Sequence, residues 1–178
     1  MASYQKEKNI IISIYILNAL LLFKFVPKDK IRHATVIFLF KQVITWFFGL
    51  LVVEKKLIEY PYRPFFKKTY KASFCFEYFF YPVLSILFNL YYPEKRNALI
   101  KTLYQFIHAS MITALEVLIL KYSKLIRYKN WKWYWSFMTI WFSNYLSHRF
   151  YKWFIKENGT QGQAPWHRAG NLEPPEVT

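Results

Sequence analysis

Long apolar runs separated by short clusters of charge dominate this chain. A spanning helix needs about 20 apolar residues to cross a hydrocarbon core roughly 30 Å thick, and five runs approach that length. A soluble helical protein would instead carry charges along one face of every helix. The pattern therefore predicts an all-α integral membrane bundle of about five transmembrane helices. The predicted spans are residues 9–26, 34–53, 74–92, 98–120 and 133–154.

Two of these spans depart from a plain apolar helix. Pro82 lies within the third span, where its missing N–H removes one helical hydrogen bond and predicts a kink. The fifth span is the least apolar, because His148, Arg149 and Lys152 enter its last turns. An alternative therefore stays open for the fifth helix, which would lie in the membrane interface instead of crossing.

The composition changes abruptly after Lys156. Gly, Gln, Pro, Asn and acidic residues follow, and apolar residues such as Trp166 are isolated. Such a segment buries too little apolar surface to fold by itself. We expect one helical domain over residues 1–156 and a flexible, disordered tail over residues 157–178.

Aromatic and basic residues gather at the predicted ends of the spans, as is typical of membrane–water interfaces. Trp131, Trp133 and Trp135 come just before or at the start of the fifth span. Tyr60 and Arg63 belong to the longest connection, whose mixture of aromatic residues and cations suits the membrane surface. We expect these five residues to be interfacial.

The chain is strongly basic, with 25 Lys and Arg against 10 Asp and Glu, a net charge of +15. Basic residues beside spans bind lipid phosphates, so their placement favours the bilayer over nucleic acid as the partner. A membrane protein partner and a second copy of the chain are further candidates. The localisation predicted is the cell membrane, as a multi-pass protein.

The distribution of positive charge bears on orientation. With five spans, the N-terminus and the second and fourth loops share one side of the membrane, which we call side A. The other loops and the tail share side B. About thirteen Lys and Arg fall on side A and eleven on side B, so the positive-inside rule favours a cytoplasmic side A by a narrow margin.

Motifs of known chemistry are missing from the sequence. The four His lie in different segments without a metal-binding spacing, and Asp29 is the only aspartate. The sequence has no Gly-rich phosphate loop and no nucleophile elbow. Its single cysteine, Cys75, excludes an intrachain disulfide. We therefore predict no metal, cofactor or catalytic residue, and a membrane-embedded enzyme is the least supported class.

Three glutamates are candidates for a functional site, because an ionisable group inside a membrane costs about 2.5 to 3.5 kcal/mol to insert. Glu54, Glu77 and Glu116 fall in the side-A leaflet if five spans alternate. One interpretation is a carboxylate cluster that binds a cation or passes protons. The other is that each carboxylate pairs with a neighbouring lysine at the interface, or is protonated against another helix.

A second polar layer is predicted near the middle of the membrane. Asn18, Gln42, His108 and Asn144 fall at comparable depths in four spans. Such groups form interhelical hydrogen bonds in lipid, so the layer is either packing or a path for a substrate or protons. Lys41 lies beside this layer, and its ammonium either reaches side B by snorkelling or points into the bundle toward a carboxylate.

Six strings in the chain carry a resemblance to known proteins, namely residues 40–42, 46–49, 57–63, 76–78, 87–96 and 131–135. They resemble a family of short multi-pass membrane proteins of endospore-forming Gram-positive bacteria. The resemblance covers about residues 10–156, and the tail departs from it. It implies a bacterial cell membrane and draws attention to Lys41, Glu54, Glu77 and Glu116, but it implies no activity.

Two functional hypotheses follow. The first is a non-enzymatic bundle that binds a partner protein or a lipid, in a spore-related membrane if the resemblance holds. The alternative is a small transporter or channel-like protein, in which Lys41, Glu77 and Glu116 line a polar path through an oligomer.

Overall fold

The chain folds into a helical bundle, and a computed structural model describes its residues 4–64 and 73–161. The all-helical class predicted from the sequence is confirmed, and each predicted span coincides with helix. A 3₁₀ turn, Lys28–Lys30, joins the first two helices. The five helices are α1 (Gln5–Phe25), α2 (Ile31–Glu54), α3 (Tyr81–Leu90), α4 (Ala98–Tyr122) and α5 (Trp133–Gln161).

Contacts at the helix ends fix the directions of α1, α3 and α4. The Glu7 carboxylate, near the start of α1, accepts a hydrogen bond from the backbone N–H of Lys124, just after α4, at 3.1 Å. At the opposite end, the Tyr91 hydroxyl after α3 donates to the carbonyl of Phe25, the last residue of α1, at 2.9 Å. The start of α1 and the end of α4 therefore share one end of the bundle, and α1 and α3 end together at the other. In the description of the structure, side A means the first of these two ends of the bundle and side B the second.

Two short strands that the sequence did not predict join the side-A ends of α2 and α4. Strand β1 (Ile58–Glu59) follows α2, and β2 (Arg127–Tyr128) follows α4. They pair antiparallel, with Ile58 opposite Tyr128. Because Ile58 is buried, this pair packs down on the bundle as a cap.

The last helix runs from side A to side B. The rings of Phe40, early in α2, and Phe150, late in α5, stack with centroids 3.8 Å apart. The ammonium of Lys152 donates to the carboxylate of Glu94, in the connection after α3, at 2.9 Å. Consecutive helices therefore run in alternating directions through the whole bundle.

The irregularity predicted at Pro82 takes the form of a π-helical segment, Phe76–Phe80, which leads into α3. The N–H of Tyr81 bonds the carbonyl of Phe76, five residues back. α3 is the central helix, since Val83, Ser85 and Phe88 have no solvent exposure. It contacts α1, α2 and α5.

The outer surface of the bundle is apolar. Phe23, Leu99 and Val43, on α1, α4 and α2, are 89%, 75% and 62% exposed. Within the described residues, three helical stretches are long and apolar enough to cross a membrane, namely α1, Lys28–Glu54 and α4, and Phe76–Leu90 is a shorter apolar helix. By length and composition, these three helices are compatible with a membrane protein.

Helix α5 continues through Gln161, which is beyond the predicted start of the flexible tail at residue 157. The rest of that predicted tail, residues 162–178, lies outside the described residues, as does part of the predicted surface connection, residues 65–72.

Candidate functional site

The candidate site is a partly open cavity of about 90 Å³ in the side-A half of the bundle. Residues of α2 and α5 form its two side walls. These helices meet nearer side B, and the cavity lies where they separate. It collects three of the charged residues singled out in the sequence, Lys41, Glu77 and Glu116.

The carboxylate of Glu116 forms one wall of the cavity and accepts three hydrogen bonds. Tyr128 of β2 donates at 2.6 Å and Ser136 of α5 at 2.8 Å to one oxygen, and Tyr81 of α3 donates at 3.2 Å to the other. The indole N–H of Trp131 donates to the Ser136 oxygen at 2.8 Å. A buried carboxylate needs such donors, and here they come from three different segments around α4.

Glu77 is 2% exposed and lies in the π-helical segment. Its carboxylate occupies the space that a side chain at Gly49 of α2 would fill, so only glycine allows this close approach. The hydroxyl of Thr45 donates to the main-chain carbonyl of Glu77 at 2.7 Å. In the π pattern that carbonyl would bond the N–H of residue 82, but residue 82 is proline and has none. Thr45 therefore supplies the donor that Pro82 lacks.

Lys41 points into the bundle and is 3% exposed. Its ammonium donates to the Ser143 hydroxyl at 2.6 Å and to the Asn144 side-chain oxygen at 2.8 Å, both on α5. The amide nitrogen of Asn144 lies 3.1 Å from Nδ1 of His108 on α4. Of the two positions predicted for the ammonium, the structure has the inward one, with neutral oxygens as its hydrogen-bond acceptors.

The end of the cavity toward side A is closed by Ile58, Tyr60 and Trp131. Tyr60 is 8% exposed, so its side chain is buried in the bundle. Burial, followed by the nearby Glu77 and Glu116 carboxylates and the Tyr128 hydroxyl, raises the pKa of Tyr60 well above its ordinary value of 10.0. The Tyr60 hydroxyl is therefore a proton-bearing hydrogen-bond donor at neutral pH.

A second polar cluster lies closer to side B. The Asn89 amide donates to the carbonyl of Ser85 at 2.8 Å, and its oxygen lies 3.1 Å from Nδ1 of His148. The hydroxyls of Ser85 and Ser147 are 3.2 Å apart. These groups link α3 to α5. The ring of Phe88 separates them from His108, and the centroids of the Phe88 and His108 rings are 4.9 Å apart.

Glu94, in the connection after α3, forms the end of this second cluster. Its carboxylate lies 2.9 Å from Nε2 of His148 and 2.9 Å from the ammonium of Lys152. Partial burial opposes ionisation, but the hydrogen bond from Lys152 and the charges of His148, Lys152 and Lys101 outweigh it. They hold the pKa of Glu94 below its ordinary value of 4.5.

The other residues singled out in the sequence lie outside the cavity. Glu54 is exposed at the end of α2 and does not line the cavity that Glu77 and Glu116 border, and Gln42 is half-buried. Trp133 and Trp135 are 60% and 52% exposed. Arg63 is half-buried on side A, and Asn18 is buried in α1, where it donates to the carbonyl of Ile14.

Sequence reasoning named Asn144 but missed the other uncharged residues that complete the site. Five buried polar residues recur along α5 at spacings of one, three, four or seven, which places them on one helix face. That periodicity was a usable signal, whereas nothing local marks Thr45 or Tyr81 as partners of the glutamates. The five residues on the α5 face are Ser136, Ser143, Asn144, Ser147 and His148.

Comparison of the chain with known protein families found no match. Comparisons with curated proteins and with solved structures found none either.

Proposed function

We propose that all five helices cross the bilayer and that the protein is a non-enzymatic membrane component that binds a small polar ligand or lipid headgroup in its cavity. The alternating directions of the helices support the five-span topology, because every connection then joins two ends on the same side of the membrane.

The two faces of α5 support its crossing despite its polar residues. Its polar face is turned inward and buried against α2, α3 and α4. Its outward face offers large apolar and aromatic side chains to lipid. Averaging along the sequence mixes the two faces and lowers the apparent hydropathy of the helix. The exposed residues are Met138, Phe142, Tyr145, Leu146 and Trp153.

Labelling of single cysteines in a Cys75→Ser background tests the topology. An impermeant thiol reagent applied from each side should label the positions alternately from one connection to the next. Lys124 and Lys156 reacting from the same side would contradict a spanning α5. The positions to substitute are Lys6, Lys30, Arg96, Lys124 and Lys156.

The cavity carries the proposal of ligand binding. Charged groups inside a membrane are costly and are typically found where they contact a substrate or each other. Here Lys41, Glu77 and Glu116 border one open space between α2 and α5 instead of being sealed by apolar packing. A pocket with a few convergent polar groups is the usual form of a small-molecule site.

Filling the cavity tests this step without removing a charge. Thr139 lines the cavity, and its hydroxyl bonds only carbonyls of its own helix, so Thr139→Trp should occupy the space. Thr35→Trp is the matched control, because Thr35 has the same kind of bond and is exposed on α2. Native mass spectrometry of the purified protein should find a bound small molecule or lipid on the wild type and on Thr35→Trp. Retention by Thr139→Trp would contradict the proposal.

We further propose the bacterial cell membrane as the location, and a spore-related membrane as the setting, from the resemblance given above. Under this proposal, a protein partner would bind elsewhere on the bundle. Cross-linking in membranes with Thr139→Trp would then capture the same partner as the wild type.

A small transporter is the second candidate, favoured by the extent of the buried polar groups. They run from Glu116 on side A through Lys41 and Asn144 to the cluster of Ser147 and His148. In liposomes, Glu77→Ala and Glu116→Ala should abolish ion-dependent uptake under this candidate, and Glu54→Ala should not. Wild-type liposomes without flux would refute it.

A further inference from the structure

A groove of about 650 Å³ runs along the outer surface of the bundle between α1 and α4. It is separate from the cavity, because the two have no lining residue in common. The α1 residues recur every three or four positions and so form one helix face, and Ile119 of α4 lies across from them. This face extends roughly 16 Å along α1, about half the thickness of a hydrocarbon core. It consists of Lys6, Asn9, Ile10, Ser13, Ile14 and Leu17.

The polarity of the groove changes with depth. Lys6, Asn9 and Ser13 follow one another inward from the side-A end of the bundle, and beyond Ser13 the α1 lining is apolar. A phospholipid presents the same order of chemistry, from a charged phosphate through ester oxygens to a hydrocarbon chain. The groove therefore matches a lipid in both length and polarity. Its apolar floor is formed by Ile10, Ile14, Leu17 and Ile119.

The polar side chains of the groove offer hydrogen-bond donors. The Gln5 amide donates to the side-chain oxygen of Asn9 at 3.1 Å, which leaves the N–H groups of Asn9 for the groove. Within the described residues, neither the Lys6 ammonium nor the Ser13 hydroxyl forms a hydrogen bond, whereas the Thr35 hydroxyl bonds a carbonyl of its own helix. Phosphate and ester oxygens are acceptors and complement this set. A neighbouring helix does so poorly, because its carbonyls already bond its own N–H groups.

Positive charge is in excess where the groove begins. The only carboxylate among residues 5–8 and 121–124 is that of Glu7, which is buried and accepts the backbone N–H of Lys124. Residues 1–3 and 65–72, outside the described part of the chain, contain no acidic residue, and the acidic residues after 161 follow α5, which ends at side B. A headgroup with net negative charge is therefore attracted to this end. The exposed lysines there are Lys6, Lys8, Lys121 and Lys124.

We propose that this groove binds an anionic phospholipid, with its phosphate at Lys6, its ester oxygens at Asn9 and Ser13, and one acyl chain along the apolar floor. The lipid fills the space between α1 and α4, and α1 itself packs mainly on α3 and the π-helical segment. This inference rests on the part of the proposed function in which α1 crosses the bilayer, and not on a ligand in the cavity.

Native mass spectrometry of the purified full-length protein tests the headgroup. The protein is titrated with phosphatidylglycerol or with phosphatidylcholine of the same acyl chains, and the affinity of the first bound lipid is measured. The wild type should bind phosphatidylglycerol more tightly. Lys6→Gln should weaken phosphatidylglycerol about fivefold, the effect of one lysine near an anionic headgroup, and leave phosphatidylcholine unchanged. Lys24→Gln, at an exposed position near the other end of α1, is the control and should bind as the wild type does.

A second pair of variants tests the position of the acyl chain. Ser13→Trp places a large ring in the groove and should weaken phosphatidylglycerol at least about tenfold, since displacing two methylenes accounts for that factor. Ile16→Trp is the matched control, because Ile16 lies on the same helix, is 55% exposed and does not line the groove. The Lys6→Gln comparison, at an exposed position, still applies if Ser13→Trp fails to fold.

The outcomes separate this site from the cavity and from a protein partner. Binding of phosphatidylglycerol that persists in Thr139→Trp, with its cavity filled, supports the groove, and its loss there places the lipid in the cavity and overturns the inference. Equal affinity for the two lipids, or no weakening by Ser13→Trp, also overturns it. A dimer that Ser13→Trp dissociates without loss of lipid would show that a second copy covers the groove instead. Single cysteines at Lys6 and Lys30 that label from the same side would refute the spanning α1 itself.

Discussion

Replacement of Thr45 by valine tests the role of this residue in holding the π-helical segment against α2. Valine has the shape of threonine but no hydroxyl, so Thr45→Val removes the donor to the Glu77 carbonyl, which is 2.7 Å away. The carbonyl has no alternative donor from its own helix, because Pro82 follows five residues later. The buried carbonyl then loses the hydrogen bond from Thr45.

The magnitude follows from the contacts. A buried polar group left unsatisfied costs about 1–3 kcal/mol, and interhelical hydrogen bonds in membranes contribute at the lower end, about 0.6–2 kcal/mol. We therefore expect Thr45→Val to lower the free energy of unfolding by about 1–2 kcal/mol. Thr35→Val is the matched control, because the Thr35 hydroxyl bonds only the Ile31 carbonyl of its own helix at an exposed position. Its effect should stay within about 0.5 kcal/mol.

Reversible unfolding in mixed detergent micelles, followed by tryptophan fluorescence, measures both changes. A double-mutant cycle with Pro82→Ala adds a sharper test. Alanine restores a backbone N–H at position 82, and this N–H can bond the Glu77 carbonyl in place of the Thr45 hydroxyl. The cost of Thr45→Val should fall in the Pro82→Ala background. Equal costs for Thr45→Val and Thr35→Val, or a cost unchanged by Pro82→Ala, would refute the reasoning.

Three other substitutions probe separate parts of the bundle by the same unfolding measurement. Glu116→Ala leaves three donors, one buried and two half-buried, without their acceptor and should cost about 2–4 kcal/mol, against about 0.5 kcal/mol or less for Glu54→Ala. Phe88→Ala should cost about 3–5 kcal/mol because the ring is fully buried, and Phe23→Ala, at a position 89% exposed, should cost little. Equal effects within either pair would contradict the burial argument. Because the pKa of Glu94 is lowered on folding, its ion pairs stabilise the protein above the ordinary value of 4.5, and this stabilisation is lost as the pH falls through the folded pKa. The thermal midpoints of wild type and Glu94→Gln should therefore differ near neutral pH and converge in acid, and a constant difference would count against this linkage.

The helices were predictable because hydrocarbon imposes a simple rule on the chain. Every backbone polar group must be paired within the segment, so an apolar run of sufficient length becomes a helix. The five runs match α1, α2, α3 with its π-helical start, α4 and α5. The π-helical segment itself was not predictable, because it depends on a donor, Thr45, that lies 32 residues before Glu77.

The site was predictable only in its charged members. Lys41, Glu77 and Glu116 attract notice because their insertion is costly, and the structure has all three around one cavity. Glu54 was grouped with Glu77 and Glu116 because all three were predicted at a similar depth. Depth does not give the rotation of a helix about its own axis, and in the structure Glu54 is exposed at the end of α2. Tyr60 and Trp131 were predicted to be interfacial by residue type, which did not indicate that both line the cavity. They come together there because β1, just before Tyr60, pairs with β2, just before Trp131.

The polar face of α5 explains why the cavity occurs where it does. Ser147 contacts α3, Asn144 contacts α2 and α4, and Ser136 contacts α4, so small polar residues fix the rotation of α5 against three neighbours at once. In lipid, such hydrogen bonds and the close approach of small side chains hold helices together where the hydrophobic effect does not. Between Ser136 and Ser143 the same face carries Thr139 and Ile140, which line the open space opposite α2. The seam between α2 and α5 is thus closed near Lys41, and the two helices separate between Lys41 and the cap formed by β1 and β2, which gives the buried carboxylates a space for a ligand.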